Sequence, residues 1–120
     1  MTLIAELVVL MVALLHGYFL VLEMCLWEKP LGLKTFGNTR ERAAVTKVLA
    51  ANQGLYNGFI AVGLLIGLLQ GADGYEFKLY FLACVVVAGL YGAITASRKI
   101  LFVQALPGAI GLALVLMTHA

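Results

Sequence analysis

Long blocks without charge alternate with short polar stretches along the chain. Three blocks contain no Asp, Glu, Lys or Arg: residues 49–72, 79–97 and 100–120. About 20 apolar helical residues cross the ~30 Å hydrocarbon layer of a bilayer, so each block is long enough to span it. A fourth apolar block is interrupted by Glu6, His16 and Glu23. The pattern predicts four transmembrane helices, at about residues 3–27, 48–70, 77–97 and 100–118.

Polar and turn-forming residues separate the predicted spans. The longest connection is residues 28–47, and Pro30 near its start is expected to end the first helix. Asn38 lies three residues before Glu41, a spacing typical of a helix N-terminus, so a helix is expected to start just after Asn38 and to continue into the second span. The sequence therefore predicts one all-α domain over residues 1–120, a polytopic four-transmembrane-helix bundle with a cytoplasmic loop at 28–47.

Composition and charge place this bundle in a membrane and orient it. Of the residues, 63% are hydrophobic and 12% are charged, whereas soluble domains contain about 25% charged residues. Seven of the eight basic residues lie in the first and third connections, so the positive-inside rule predicts that both termini lie outside. The basic residues are mixed with acidic ones, so the lipid bilayer, and no nucleic acid, is the expected partner.

Polar side chains within the predicted spans indicate where function lies. His16 and Glu23 are seven residues apart and share a helix face with Trp27. An ionisable group at the centre of a membrane helix costs roughly 2.5–3.5 kcal/mol, so this face is expected to point into the bundle or a water-filled cavity. A snorkelling carboxylate, an ion pair for Glu23 and a buried core position for His16 are the simpler alternatives.

The second predicted span opens with three amides and a tyrosine within six residues. Hydrogen bonds between packed helices explain one such amide, but four large polar groups favour a polar-lined site. Polar residues of the third and fourth spans lie at the same predicted depth, in the cytoplasmic half. The predicted ligand-binding residues are His16, Glu23, Trp27, Asn52, Gln53, Tyr56, Asn57, Tyr91, Thr95 and Gln104.

Small residues and a proline predict how the helices pack. Pro107, followed by Gly108, is expected to break or kink the fourth helix. Small residues recur every fourth position, which allows helices to approach closely. These small residues are Gly54 with Gly58, Gly63 with Gly67, and Ala88 with Gly92 and Ala96.

The spacing of the candidate ligands argues against a metal or a cofactor. His16 and Glu23 are about 10 Å apart along a helix, too far to bind one zinc ion, and no third ligand accompanies them. His119 belongs at the opposite end of the bundle from a haem bound at His16. No metal and no cofactor is therefore expected.

Two segments carry a family resemblance. Residues 16–27, HGYFLVLEMCLW, and residues 51–59, ANQGLYNGF, resemble the bacterial membrane proteins grouped as domain-of-unknown-function family 1304. The resemblance covers essentially the whole chain. It implies a multi-pass protein of the bacterial cytoplasmic (inner) membrane, and it supplies no activity and no assigned site residues.

Three functions are compatible with this pattern. The favoured one is binding or transport of a small polar or cationic solute, because amides recognise ligands better than they catalyse. The four-span layout is similar to that of the small multidrug resistance exporters and is compatible with a homodimer. The first alternative is a membrane-embedded isomerase or hydrolase acting on a lipid-soluble substrate, with His16, Glu23 and Tyr56 as catalytic candidates. The second is a partner subunit of a membrane complex.

Overall fold

The computed structural model describes residues 2–119, and within that range it contains helices and no strands. The five α-helices are α1 (Thr2–Met24), α2 (Pro30–Phe36), α3 (Arg40–Leu69), α4 (Tyr75–Thr95) and α5 (Leu106–Thr118). A 3₁₀ turn, Gly71–Gly74, precedes α4, and a π-helical turn, Leu101–Ala105, precedes α5. The all-α prediction is therefore confirmed.

Four helical segments are long and apolar enough to cross a bilayer. They are Thr2–Met24, Arg40–Leu69, Gly71–Thr95 and Leu101–Thr118. Many of their large apolar side chains are exposed, as are those of Leu14, Val62 and Ile94, and lipid rather than protein is the expected environment for such side chains. The chain is a polytopic membrane protein with four apolar spans, as the hydropathy pattern predicts.

The connection at residues 28–47 contains a short helix that the sequence does not predict. Helix α2 forms inside it, with Pro30 in its first turn, where a proline costs no backbone hydrogen bond. Helix α3 begins at Arg40 as expected, but its first turn is capped by Thr39 rather than Asn38, because the backbone N–H of Arg42 donates to Thr39 Oγ1 at 3.2 Å.

The described residues form two compact units, each with its own packing. One unit contains residues 15–61, and the other contains the residues up to 14 and from 62 onward. In the unit of residues 15–61, α3 approaches α1 through glycines: a Cβ on Gly54 would lie 3.1 Å from Glu23 Cβ, and one on Gly58 would strike Leu20. The predicted role of this glycine pair in helix packing is confirmed.

In the other unit, α4 packs on α5 and on the π-helical turn. The residues at this contact only partly match the small residues that the four-residue spacing predicts. A Cβ on Gly89 would lie 2.8 Å from the backbone nitrogen of Ala105, and one on Gly92 would meet Ile100. Ala88 and Ala96, which the four-residue spacing predicted to lie in the helix contact with Gly92, are exposed. The prediction is wrong for these two alanines, because the close contacts of α4 occur at Gly89 and Gly92, which are three residues apart.

The predicted break near Pro107 takes the form of the π-helical turn. The backbone N–H of Leu106 donates to the carbonyl of Leu101, five residues earlier. Pro107 has no N–H to donate and stands in the first turn of α5. The irregularity therefore precedes the proline, and α5 restarts as a regular helix from Leu106.

Candidate functional site

A hydrogen bond between Glu23 and Asn57 joins α1 to α3. Asn57 Nδ2 donates to Glu23 Oε1 at 2.5 Å across 34 residues of sequence. Asn57 is 7% exposed and Glu23 is partly buried. Gly54, one turn before Asn57, brings the two helices close enough for this bond. The structure thus brings together two residues that the sequence singled out separately.

Trp27 ties the end of α1 to both following helices. Its indole Nε1 donates to Thr46 Oγ1 at 3.2 Å, and Thr46 donates in turn to the carbonyl of Arg42 at 2.7 Å. The ring centroid of Phe36, the last residue of α2, lies 4.9 Å from that of Trp27. Sequence reasoning missed Thr46 and Phe36, although a tryptophan N–H at a membrane interface signals the need for an acceptor.

A cavity of about 550 Å³ opens beside Glu23 and Trp27, within the unit of residues 15–61. Its volume lies within the range of roughly 300–1,000 Å³ that is typical of small-molecule sites. The wall comes from the end of α1, the turn that follows it and the α3 residues 47–52. The lining residues are Glu23, Met24, Cys25, Trp27, Glu28, Lys29, Lys47, Val48, Ala51 and Asn52.

Three charged lining residues, Glu28, Lys29 and Lys47, lie outside the predicted site. The positive-inside rule uses the two lysines only as indicators of topology, which gives no information about a cavity. The backbone explains how two of them reach it, because the N–H of Lys29 donates to the carbonyl of Leu26 at 3.1 Å and closes a tight turn after α1. The available signal was the proximity of Glu28 and Lys29 to Glu23 in sequence.

The other predicted ligand-binding residues in the unit of residues 15–61 do not share one environment. His16 is fully buried, with its ring 5.3 Å from that of Phe19 in an edge-on arrangement. Gln53 and Tyr56 are exposed, and the tyrosine ring lies 6.0 Å from Phe59. Asn52 lines the cavity while its Nδ2 donates to the carbonyl of Val48 within α3.

Predicted residues in the other unit form local hydrogen bonds. Tyr91 is 70% exposed, and its carbonyl accepts a hydrogen bond of 2.7 Å from Thr95 Oγ1. Gln104 Nε2 donates to the carbonyl of Val85 at 3.2 Å, which links the π-helical turn to α4. These bonds to backbone carbonyls satisfy the hydroxyl donor of Thr95 and one amide N–H of Gln104 without a ligand.

The unit that contains residues 62–119 also holds a cavity, of about 300 Å³. Glu6, Lys78 and Thr118 line it, together with Tyr75 and His119, whose rings stack at 3.5 Å. The sequence indicated little chemistry at this end of the helices apart from Glu6. Stacking of the two rings fixes His119 immediately after the end of α5.

Within residues 2–119, no group of three or more His, Cys, Asp or Glu side chains is arranged to hold a metal ion. Cys25 and Cys84 both carry free thiols. Cys25 is exposed on the wall of the 550 Å³ cavity, which makes its thiol a convenient reporter of ligand binding.

Comparison with known proteins supports the resemblance seen in the sequence. The family described as protein of unknown function (DUF1304) matches residues 10–116. The uncharacterized protein YpaA of Lactococcus lactis subsp. lactis (strain IL1403) is 29% identical over 106 residues, which cover 87% of this chain and 89% of the relative. No solved structure matches. The family match extends over most of the chain, and this protein therefore belongs to the DUF1304 family.

Proposed function

We propose that this protein binds a small polar or cationic solute in the 550 Å³ cavity beside Glu23 and transports it across the bacterial cytoplasmic membrane. The observation that carries the proposal is the Glu23 carboxylate, which the Asn57 amide holds at the wall of a cavity. A carboxylate kept partly buried at a cavity in a membrane protein marks a site for a cation or a proton.

Glu23 retains the capacity to accept a ligand while it is held by Asn57. A carboxylate has about four lone-pair sites, and within residues 2–119 the Asn57 amide is the one hydrogen-bond partner of the Glu23 side chain. Trp27 supplies an aromatic ring to the same wall, and a cation over such a ring gains about 0.5–2 kcal/mol. An anionic oxygen beside an aromatic ring suits an ammonium group.

The surroundings of two of the three catalytic candidates, His16 and Tyr56, support recognition rather than acid–base chemistry. A general acid or base acts within hydrogen-bond reach of the substrate. His16 is fully buried, and neither His16 nor Tyr56 is among the residues that line the cavity. Glu23 and Asn52 do line it, and these are groups that bind and orient a solute.

Replacing Glu23 with glutamine is expected to weaken the binding of a small cation about tenfold, a loss of ~1.4 kcal/mol. The amide oxygen of Gln still accepts the hydrogen bond from Asn57, so the fold is retained while the negative charge is lost. Equilibrium binding of radiolabelled ethanolamine and choline to detergent-purified protein measures the change, and uptake into proteoliposomes is expected to fall in parallel.

Glu41→Gln is the matched control, because Glu41 is exposed in the first turn of α3 and does not line the cavity. It is expected to bind both cations as the wild type does. Equal affinities in the wild type and Glu23→Gln, or a wild type that binds neither cation, would contradict the proposal.

A further inference from the structure

The 550 Å³ cavity carries both signs of charge. Its lining residues include Glu23 and Glu28, which carry carboxylates, and Lys29 and Lys47, which carry ammonium groups. Within the described part of the chain, no ion pair joins either lysine to either glutamate. Four charged groups thus share one cavity wall without neutralising each other at contact distance, and their formal charges sum to zero.

A purely cationic ligand would use only half of these groups. It would pair with the carboxylates and at the same time be repelled by both lysines, since like charges in one site oppose binding. A ligand with an ammonium group and an anionic group would pair with both sets. Lysine ammonium groups are common phosphate binders, and each of the two lysines can pair with one of the two non-bridging oxygens of a phosphodiester.

Apolar side chains continue the wall beyond the charges. Met24 and Val48 both line the cavity and are 44% and 66% exposed. Both belong to segments that are apolar enough to span a bilayer. The charged part of the cavity therefore adjoins an apolar surface of the kind that faces lipid.

On the basis of the proposed solute site, we infer that its ligand is a zwitterion with an ammonium group and a phosphate, as in phosphoethanolamine compounds. The ammonium group pairs with Glu23 and Glu28, and the phosphate pairs with Lys29 and Lys47. A free solute and the headgroup of a membrane phospholipid share this chemistry.

Fluorescence of Trp27 provides the test, since it is the one tryptophan in the chain and lines the cavity. Titrations compare glycerophosphoethanolamine, ethanolamine and glycerol 3-phosphate on the detergent-purified protein. The zwitterion is expected to bind about fivefold more tightly than ethanolamine, because pairs between partly exposed charges are individually weak. Glycerol 3-phosphate is expected to bind more weakly than the zwitterion.

The double variant Lys29→Gln/Lys47→Gln is expected to bind the zwitterion and ethanolamine with similar affinity. Lys34→Gln is the matched control, because Lys34 is exposed in α2 and does not line the cavity, and it is expected to keep the fivefold preference. Failure of ethanolamine to bind the wild type would contradict the solute site itself. Binding of ethanolamine without a preference for the zwitterion, or a preference that survives in the double variant, would overturn only the zwitterion inference.

Binding in nanodiscs of two lipid compositions distinguishes a free solute from a phospholipid headgroup as the source of the ligand. If the phospholipid headgroup occupies the cavity, glycerophosphoethanolamine will bind more weakly in nanodiscs containing phosphatidylethanolamine than in those containing only phosphatidylglycerol. Equal binding in both nanodiscs would assign the site to a free zwitterion. Both results support a zwitterionic ligand, whereas absence of zwitterion binding in both nanodiscs would contradict it.

Discussion

Replacing Asn57 with leucine is expected to lower the free energy of unfolding by about 3 kcal/mol. Leucine has the same number and branching of side-chain heavy atoms but cannot donate a hydrogen bond, so the Glu23 carboxylate loses the amide that now holds it. Leaving one partner of a largely buried polar pair unsatisfied costs about 1–3 kcal/mol. Unfolding by sodium dodecyl sulfate in mixed micelles measures the change.

A double variant separates the lost hydrogen bond from a packing defect. Glu23→Leu/Asn57→Leu is expected to be more stable than Asn57→Leu alone, because no polar group then remains without its partner. Asn52→Leu is the matched single control, since Asn52 is exposed and its amide donates only to Val48 within α3. A loss at Asn57 no larger than that at Asn52 would show that the Glu23–Asn57 bond does not stabilise the fold.

Replacing Gly32 with alanine is expected to displace α2 and to lower the free energy of unfolding by about 3 kcal/mol, at the upper end of typical overpacking costs. A Cβ at this position would collide with the carbonyl oxygen of Leu26, which also accepts the N–H of Lys29. Because that turn carries Glu28 and Lys29 to the cavity, the affinity for the zwitterion is expected to fall together with stability. Unfolding in mixed micelles and Trp27 titration measure the two effects.

Thr35→Ala is the matched control in the same helix. The hydroxyl of Thr35 donates to the carbonyl of Leu31 inside α2, and the residue is exposed. This substitution is expected to leave stability and affinity close to those of the wild type. Normal stability of Gly32→Ala would contradict the close approach of α2 to the end of α1.

Hydropathy predicts much of the fold because spans in lipid must be long, apolar and helical. The four spans follow from this constraint and are confirmed, whereas the start of α3 at Arg40 agrees with the helix start that the spacing of Asn38 and Glu41 predicts. The folded structure within residues 28–47 does not follow from hydropathy. It depends on the packing of Gly32 against Leu26 and of Phe36 against Trp27, and contacts of this kind have no periodic signature.

Polar residues within apolar blocks indicate where the proposed site lies, but the sequence does not give their partners. Glu23 and Asn57 stand out because each needs a hydrogen-bond partner in a membrane span, while their pairing depends on how α1 and α3 are rotated. Helical periodicity shows which residues share a face and not which face is covered. For this reason Tyr56, 55% exposed, was predicted together with the buried Asn57.

Protection of Cys25 from alkylation tests most directly whether a solute occupies the cavity at Glu23. The Cys84→Ala variant leaves Cys25, which lines the cavity, as the one thiol of the chain. Saturating ethanolamine is expected to slow alkylation of Cys25 several-fold, and the protection is expected to disappear at the same concentration when Glu23→Gln is added. If ethanolamine binds while Cys25 reacts at its unprotected rate, the solute lies elsewhere and the proposed site is wrong.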